Sequence, residues 1–161
     1  MGNNYLQLRK ILFRGTGKET TLSFRSGINV ICGASDTGKS FLAESINFML
    51  GGSKIRNITE LKEYGEIELD LVSSNEKNWR LHPSINGGNF KLIDLDDPRS
   101  ENIVLNEKYV KGKENALSGF LLEQIGLPNK KILKNSTKPQ TITRGSHKTN
   151  LGTLIKHGFA Q

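Results

Sequence analysis

The run Ile28-Asn29-Val30-Ile31-Cys32 leads directly into Gly33-Ala34-Ser35-Asp36-Thr37-Gly38-Lys39-Ser40. The second run fits the pattern G-x-x-x-x-G-K-[ST], which is typical of a phosphate-binding P-loop when it lies between a strand and a helix. The first run is short and mostly apolar, which predicts a buried strand of a parallel sheet. From Lys39 onward, apolar residues at helical spacing predict a helix that Gly51 and Gly52 end. The pattern therefore predicts a strand, a glycine-rich loop and a helix.

The residue types of this loop suit a nucleoside triphosphate. Gly33 and Gly38 allow backbone angles and a close approach that a side chain would obstruct, so consecutive N–H groups can turn toward phosphates. Lys39 should reach the β- and γ-phosphates and serve catalysis, and the Ser40 hydroxyl should ligate Mg²⁺. We therefore expect ATP and Mg²⁺ as cofactors; the alternative is a tight turn that matches by chance and binds nothing. The predicted nucleotide-binding residues are Gly33, Ala34, Ser35, Asp36, Thr37, Gly38, Lys39, Ser40 and Phe41.

The rest of the chain contains several alternating segments that predict strands. Tyr5 to Phe13 and Thr20 to Phe24 should pair as a hairpin across the turn-prone Gly15-Thr16-Gly17. Three later segments, separated by Asn, Gly and Ser, predict an antiparallel meander with one face in water. An amphipathic helix should precede Gly126 and Pro128. The three strand segments are Glu66 to Val72, Trp79 to His82 and Phe90 to Ile93, and the helix is Ala116 to Ile125.

The net charge of +7 comes entirely from the end of the chain. Residues 1–127 contain 16 basic and 16 acidic side chains, whereas residues 128–161 contain seven basic ones and no Asp or Glu. A segment of one sign can bind nucleic acid, because it releases counterions from the phosphate backbone. A solvated basic segment without a partner is the equal alternative.

Length and composition set outer limits. A chain of 161 residues is the size of one domain, and its 35% apolar content exceeds that of disordered chains. No apolar stretch is long enough to span a membrane and no secretory signal is visible, so we expect a cytoplasmic protein without membrane contact. Cys32, the only cysteine, is expected to be a buried thiol without a redox role.

Hydrolysis requires an acidic residue that holds Mg²⁺ at the end of a buried strand. Asp94 is the nearest candidate, but its segment alternates like a half-exposed strand, so we expect a surface acid. Leu117-Ser118-Gly119 is similar to the start of the LSGGQ signature of ABC-type ATPases. Phe120 replaces the second glycine and the segment is predicted to be helical, so we interpret this likeness as coincidence.

The order of elements resembles the N-terminal lobe of the head domain of SMC-like ABC ATPases, including the RecF and RecN relatives. The resemblance is most specific over residues 24–52, where Gly27-Ile28-Asn29-Val30-Ile31 leads into the P-loop. It implies an α/β P-loop NTPase fold, the N-lobe of an ABC-ATPase head, with an antiparallel β-subdomain. These proteins serve DNA repair, chromosome maintenance or phage defence. Their loop commonly contains Asn-Gly-x-Gly where this chain has Ser35-Asp36-Thr37-Gly38, which indicates a divergent branch.

The resemblance also implies what completes the site. A C-terminal lobe beyond a coiled coil would supply the signature, the acidic Mg²⁺ partner and the catalytic glutamate, and two heads would form a head-to-head homodimer. ATP hydrolysis is expected only in that completed state. A Q-loop glutamine is implied at Gln161, as a catalytic residue and Mg²⁺ ligand; Gln124 and Gln140 are poorer candidates. We expect an N-lobe at 1–127 and a basic segment at 128–161 that leads toward this Q-loop, in a chain that stops before the coiled coil.

Three functions remain open. The first is the ATP-binding lobe of an SMC-like ATPase that acts on DNA. The second is a small self-contained P-loop kinase or GTPase, although no Asn-Lys-x-Asp motif or arginine-bearing lid is identifiable. The third is a non-enzymatic module in which nucleotide stabilises the fold and the basic segment docks a partner.

Overall fold

The computed structural model describes residues 4–52, 64–84, 88–108 and 115–128. These residues form six strands and two helices in one sheet-and-helix arrangement. The strands are β1 (Leu6–Gly15), β2 (Lys18–Ser23), β3 (Tyr64–Ser73), β4 (Asn78–Pro83), β5 (Asn89–Asp94) and β6 (Ile103–Asn106). The helices are α1 (Lys39–Met49) and α2 (Leu117–Gln124).

The six strands form one antiparallel sheet in the order β2-β1-β3-β4-β5-β6. The predicted hairpin is confirmed: β1 and β2 pair from Lys10 opposite Ser23 to Gly15 opposite Lys18. Gly17 has a φ of 75°, a left-handed angle that glycine adopts without a steric penalty. The predicted meander is confirmed as β3, β4 and β5, and β6 extends it by one strand that the sequence did not predict.

One face of the sheet and the two helices enclose the core. Alternation along the strands places most of their apolar residues on that face, which is the period-two geometry of a pleated sheet. Both helices cover it with apolar residues from one side, and α2 confirms the predicted second helix. The fully buried side chains include Ile11, Leu69, Leu71, Leu81 and Leu92 from the strands, Met49 from α1, and Leu117 and Leu121 from α2.

The opposite face of the sheet carries ion pairs. Arg80 lies between two carboxylates of β3, with Nε 2.6 Å from Asp70 Oδ1 and Nη1 3.0 Å from Glu68 Oε2. Arg14 approaches Glu68 to 3.1 Å and Lys10 approaches Asp70 to 3.4 Å from the neighbouring β1. Glu68 and Asp70 are each only 8% exposed, so these ion pairs are largely shielded from water.

The prediction of a buried strand at 28–32 is wrong, because the structure forms no strand over these residues. No backbone hydrogen bond joins this segment to any described strand, and Ile28 is 95% and Val30 78% exposed. Cys32 is likewise exposed, so its expected burial is also wrong. A buried parallel strand needs a neighbouring strand on each side, and the antiparallel sheet offers this segment no such neighbours.

The segment instead has no regular secondary structure, and the side-chain amide of Asn29 holds its start. Asn29 Nδ2 donates to the carbonyl oxygens of Arg25 (2.9 Å) and Gly27 (3.1 Å), and Asn29 Oδ1 accepts from the Arg25 N–H at 2.9 Å. This arrangement closes the turn that leaves β2.

Among the described helices, none is long and apolar enough to cross a membrane.

Candidate functional site

The loop before α1 presents the open N-terminus of that helix. Gly38 is the N-cap, with φ 79° and ψ 7°, and no side chain caps the first turn. The first turn also contains no acidic residue. The positive end of the helix dipole and its free N–H groups are therefore available to an anion.

The backbone N–H groups around this loop have no partners among the described residues. From Gly33 to Phe41 none donates to a backbone carbonyl or side chain of a described residue, and the first such bond runs from Leu42 N to Gly38 O at 2.9 Å. Unpaired N–H groups are costly unless water or a ligand accepts from them. Consecutive free donors of this kind form the concave site that binds phosphate in P-loops.

Two left-handed residues shape the loop. Gly38 and Asp36 have φ values of 79° and 58°, with Thr37 between them. Left-handed residues next to right-handed ones turn successive N–H groups toward the same side of the chain. A glycine meets no steric cost at such an angle, whereas a residue with a Cβ does.

The Lys39 ammonium lies over the same loop. Its Nζ donates to the carbonyl oxygens of Gly33, at 2.9 Å, and Ala34, and to Thr37 Oγ1 at 3.0 Å. The Thr37 hydroxyl in turn donates to Ala34 O at 2.9 Å. These contacts hold the only cationic side chain of the loop against the backbone that carries the free N–H donors.

The lack of a side chain at Gly33 leaves room for Thr37 and Lys39 to lie close to the loop backbone. A Cβ there would lie 3.0 Å from Thr37 Oγ1 and 3.8 Å from Lys39 Nζ. The first distance is shorter than ordinary van der Waals contact, so a side chain would displace the threonine that supports Lys39. Glycine at position 33 therefore leaves room for Thr37 and Lys39, and the close approach of phosphate to Gly33 stays a prediction.

The comparison with protein families decides the assignment. The sequence matches the family model described as an AAA domain over residues 7–155. The chain belongs to the AAA domain family. AAA domains are P-loop ATPase modules that bind nucleotide and usually use Mg²⁺, which agrees with the coarse prediction from the motif. No curated protein and no solved structure matches the chain.

Other residues of the AAA domain's predicted site occupy the first turn of α1. Ser40, the predicted Mg²⁺ ligand, is exposed. The Phe41 ring packs 5.2 Å from the Phe13 ring, measured between centroids, which attaches this turn to β1. Ser45, one turn on, donates from Oγ to Phe41 O at 2.8 Å. The sheet thus positions the helix whose N-terminus borders the loop.

The remaining catalytic candidates of the AAA domain lie elsewhere. Gln161 and the basic residues after position 128 lie outside the described residues, and so does Gln140. Gln124 ends α2, and Leu117-Ser118-Gly119 is helical as predicted, although it forms the first turn of α2 and not its middle.

Asp94 ends β5 and is paired with a cation. Its Oδ2 lies 2.8 Å from Lys77 Nζ. The hydrogen bond from Lys77 lowers the pKa of Asp94, whereas partial desolvation raises it by less. The Asp96 N–H also donates to this carboxylate and lowers the pKa further. Lys77 further lies 4.6 Å from the Trp79 ring centroid. These contacts give Asp94 a structural role at the end of the strand.

A group that the sequence did not indicate lies on the polar face of the sheet. One potential ligand atom each from Glu66, Glu68 and His82 falls within 4.8 Å of the others. Such a set could suit a divalent cation. Two guanidinium groups, of Arg14 and Arg80, already neutralise the Glu68 carboxylate, so ion pairing explains this group without a metal.

Proposed function

We propose that this AAA domain binds ATP with Mg²⁺ in the loop formed by residues 33–40. The observation that carries the proposal is the set of N–H groups from Gly33 to Phe41 that have no partner among the described residues, together with Lys39 Nζ, which contacts the same loop. Hydrogen-bond donors and a cation that converge on one loop match the chemistry of a polyphosphate. A carboxylate or neutral ligand would leave most of these donors without an acceptor.

Each residue then has a distinct role. Lys39 exchanges a contact within the loop for the β- and γ-phosphate oxygens, and the exposed Ser40 hydroxyl ligates Mg²⁺. Ala34, Ser35, Asp36 and Thr37 contribute mainly through backbone N–H groups, as does Phe41. The family match supports nucleotide binding of this type, and these individual roles are our proposal.

We further propose that the chain is the ATP-binding lobe of an SMC-like ATPase that acts on DNA. Ile28 and Val30 precede the loop and expose most of their apolar surface, which strands of a C-terminal lobe would cover. That lobe, together with a head-to-head homodimer partner, would supply the groups for hydrolysis. Gln161 would act as the Q-loop residue, because an amide can ligate Mg²⁺ and accept from water.

The nucleotide site is tested by Lys39→Ala in the full chain. We expect ATP affinity, measured calorimetrically with Mg²⁺, to fall by at least about 100-fold, because charge-assisted contacts to phosphate are the strong ones. Lys91→Ala is the matched control: it removes one exposed positive charge from β5 and should leave affinity unchanged. Equal affinity for ATP in the Lys39→Ala variant and the parent would refute the site.

The metal role of Ser40 has a separate test. Ser40→Ala should weaken ATP binding in Mg²⁺ and leave binding in EDTA nearly unchanged, because the hydroxyl contacts the ion rather than the phosphates. An equal loss under both conditions would contradict this role.

Action on DNA is tested through residues 128–161. The full chain should bind duplex DNA without sequence preference and more weakly as salt rises, because counterion release drives such contacts. Replacing Lys130, Lys131 and Lys134 with alanine should reduce both the affinity and the salt dependence. DNA affinity that is the same at low and physiological salt would contradict counterion-release binding by this segment.

A further inference from the structure

Asp36 places a negative charge inside a loop otherwise suited to anions. It is exposed, and its carboxylate makes no hydrogen bond or ion pair with any residue that the structure describes. Its backbone is left-handed, with φ 58°. Of the described residues other than glycine, only Glu76 shares a positive φ, in the turn between β3 and β4.

The backbone angle explains only part of the residue choice. A left-handed residue with a Cβ is unfavourable, and Asn and Asp tolerate this angle better than other such residues. Asparagine would therefore meet the conformational requirement without a charge, and glycine would meet it at lower cost. The negative charge needs a different explanation from the angle.

The charge acts directly on any bound polyphosphate. Free ATP carries about four negative charges and its Mg²⁺ complex about two, because the cation bridges the β- and γ-phosphate oxygens. A carboxylate on a residue of this loop therefore repels the free nucleotide more strongly than the complex. No described cation forms an ion pair with Asp36, so no ion pair removes this repulsion.

We propose that Asp36 makes the loop selective for metal-complexed nucleotide over free nucleotide. The inference rests on the proposed nucleotide site and adds to it a determinant of which ionic form is bound. In water, two unit charges a few ångströms apart change an affinity by a factor of about three to five. For the two charges that distinguish the ionic forms, Asp36 should contribute about tenfold to the selectivity.

The test compares Asp36→Asn with the parent chain, using ATP in Mg²⁺ and in EDTA. Asparagine keeps the tolerance for the left-handed angle and removes only the charge. We expect the affinity in EDTA to rise, and the ratio of Mg²⁺ affinity to EDTA affinity to fall about tenfold. The change should shrink at high salt, because exposed charges are screened.

Two further variants separate charge from conformation. Glu76→Gln removes one exposed carboxylate at a similar backbone angle outside the loop, and it should leave the ratio unchanged. Asp36→Gly removes the charge and the left-handed penalty together, so it should lower the ratio as Asp36→Asn does. Thermal unfolding of each variant checks that the fold is retained.

The possible outcomes are distinct. An unchanged ratio in Asp36→Asn, in a parent that binds ATP, overturns the selectivity and leaves the nucleotide site standing. A loss of affinity confined to Mg²⁺ also overturns it, because Asp36 would then be a metal ligand. A parent chain that binds ATP under neither condition removes the nucleotide site and the selectivity together. The expected fall of the ratio, with raised affinity in EDTA, supports the proposal.

Discussion

Replacing Ile28 and Val30 together with threonine tests whether the segment before the loop is covered by the rest of this chain. Threonine keeps the branched Cβ, so the backbone preference of the segment changes little. The substitution replaces apolar surface with a hydroxyl at each site. Its cost to the folded chain therefore measures how much of that apolar surface is buried in the chain itself.

The expected cost follows from the exposure of the two side chains. Ile28 is 95% and Val30 78% exposed, so only about one twentieth and one fifth of their surfaces are buried. Full burial of such a side chain contributes about 1.5–3 kcal/mol. The double substitution should thus lower the free energy of unfolding by less than about 1 kcal/mol. Two fully buried sites would cost about 3–5 kcal/mol, because each would also bury an unpaired hydroxyl.

The assay is urea-induced unfolding followed by the fluorescence of Trp79, the only tryptophan. Its ring packs against Phe120 of α2 at 5.5 Å between centroids, so it reports on the contact between sheet and helix. Leu69→Ala, at a fully buried site on β3, is the positive control and should cost about 2–5 kcal/mol. A loss above about 2 kcal/mol in the Ile28 and Val30 variant would refute the exposed arrangement and restore the buried strand.

Three further predictions concern the sheet and Cys32. Arg80→Ala should lower the free energy of unfolding by about 2–3 kcal/mol in the same urea titration. This is less than the loss of about 3–5 kcal/mol expected for a fully buried pair, because Glu68 and Asp70 each keep a second cation. Arg14→Ala, at a more exposed site, should lower the free energy of unfolding by less. Because the folded state lowers the pKa of Asp94, its ionised carboxylate stabilises the fold at a pH above the unfolded-state pKa of about 4. This stability is lost as the pH falls through the folded-state pKa, which lies below 3.8. Carboxyl NMR titration should show that pKa return toward 3.8 in Lys77→Met, and no change would contradict the ion pair. The exposed Cys32 should react with a thiol reagent in the folded chain within about tenfold of its rate in urea, whereas a buried thiol would be far slower.

Local sequence patterns alone determined most of the elements and the loop. Alternation across a glycine-containing turn was sufficient for β1 and β2, and apolar spacing between Lys39 and Gly51 was sufficient for α1. The G-x-x-x-x-G-K-[ST] pattern located the loop because its glycines and lysine are needed at fixed spacing. These features depend on residues close together in the chain, so a single sequence contains them.

Which of these elements are buried or paired depends on the tertiary structure. The apolar run at 28–32 suits a buried strand, yet burial depends on neighbouring strands, and the described sheet offers none to it. The short strand β6 forms because β5 presents a free edge, which no local pattern predicts. Likewise, Arg80 reaches two carboxylates only through the β3–β4 register, since Asp70 lies opposite it. Each outcome depends on contacts between distant parts of the chain, whose partners a local pattern does not specify.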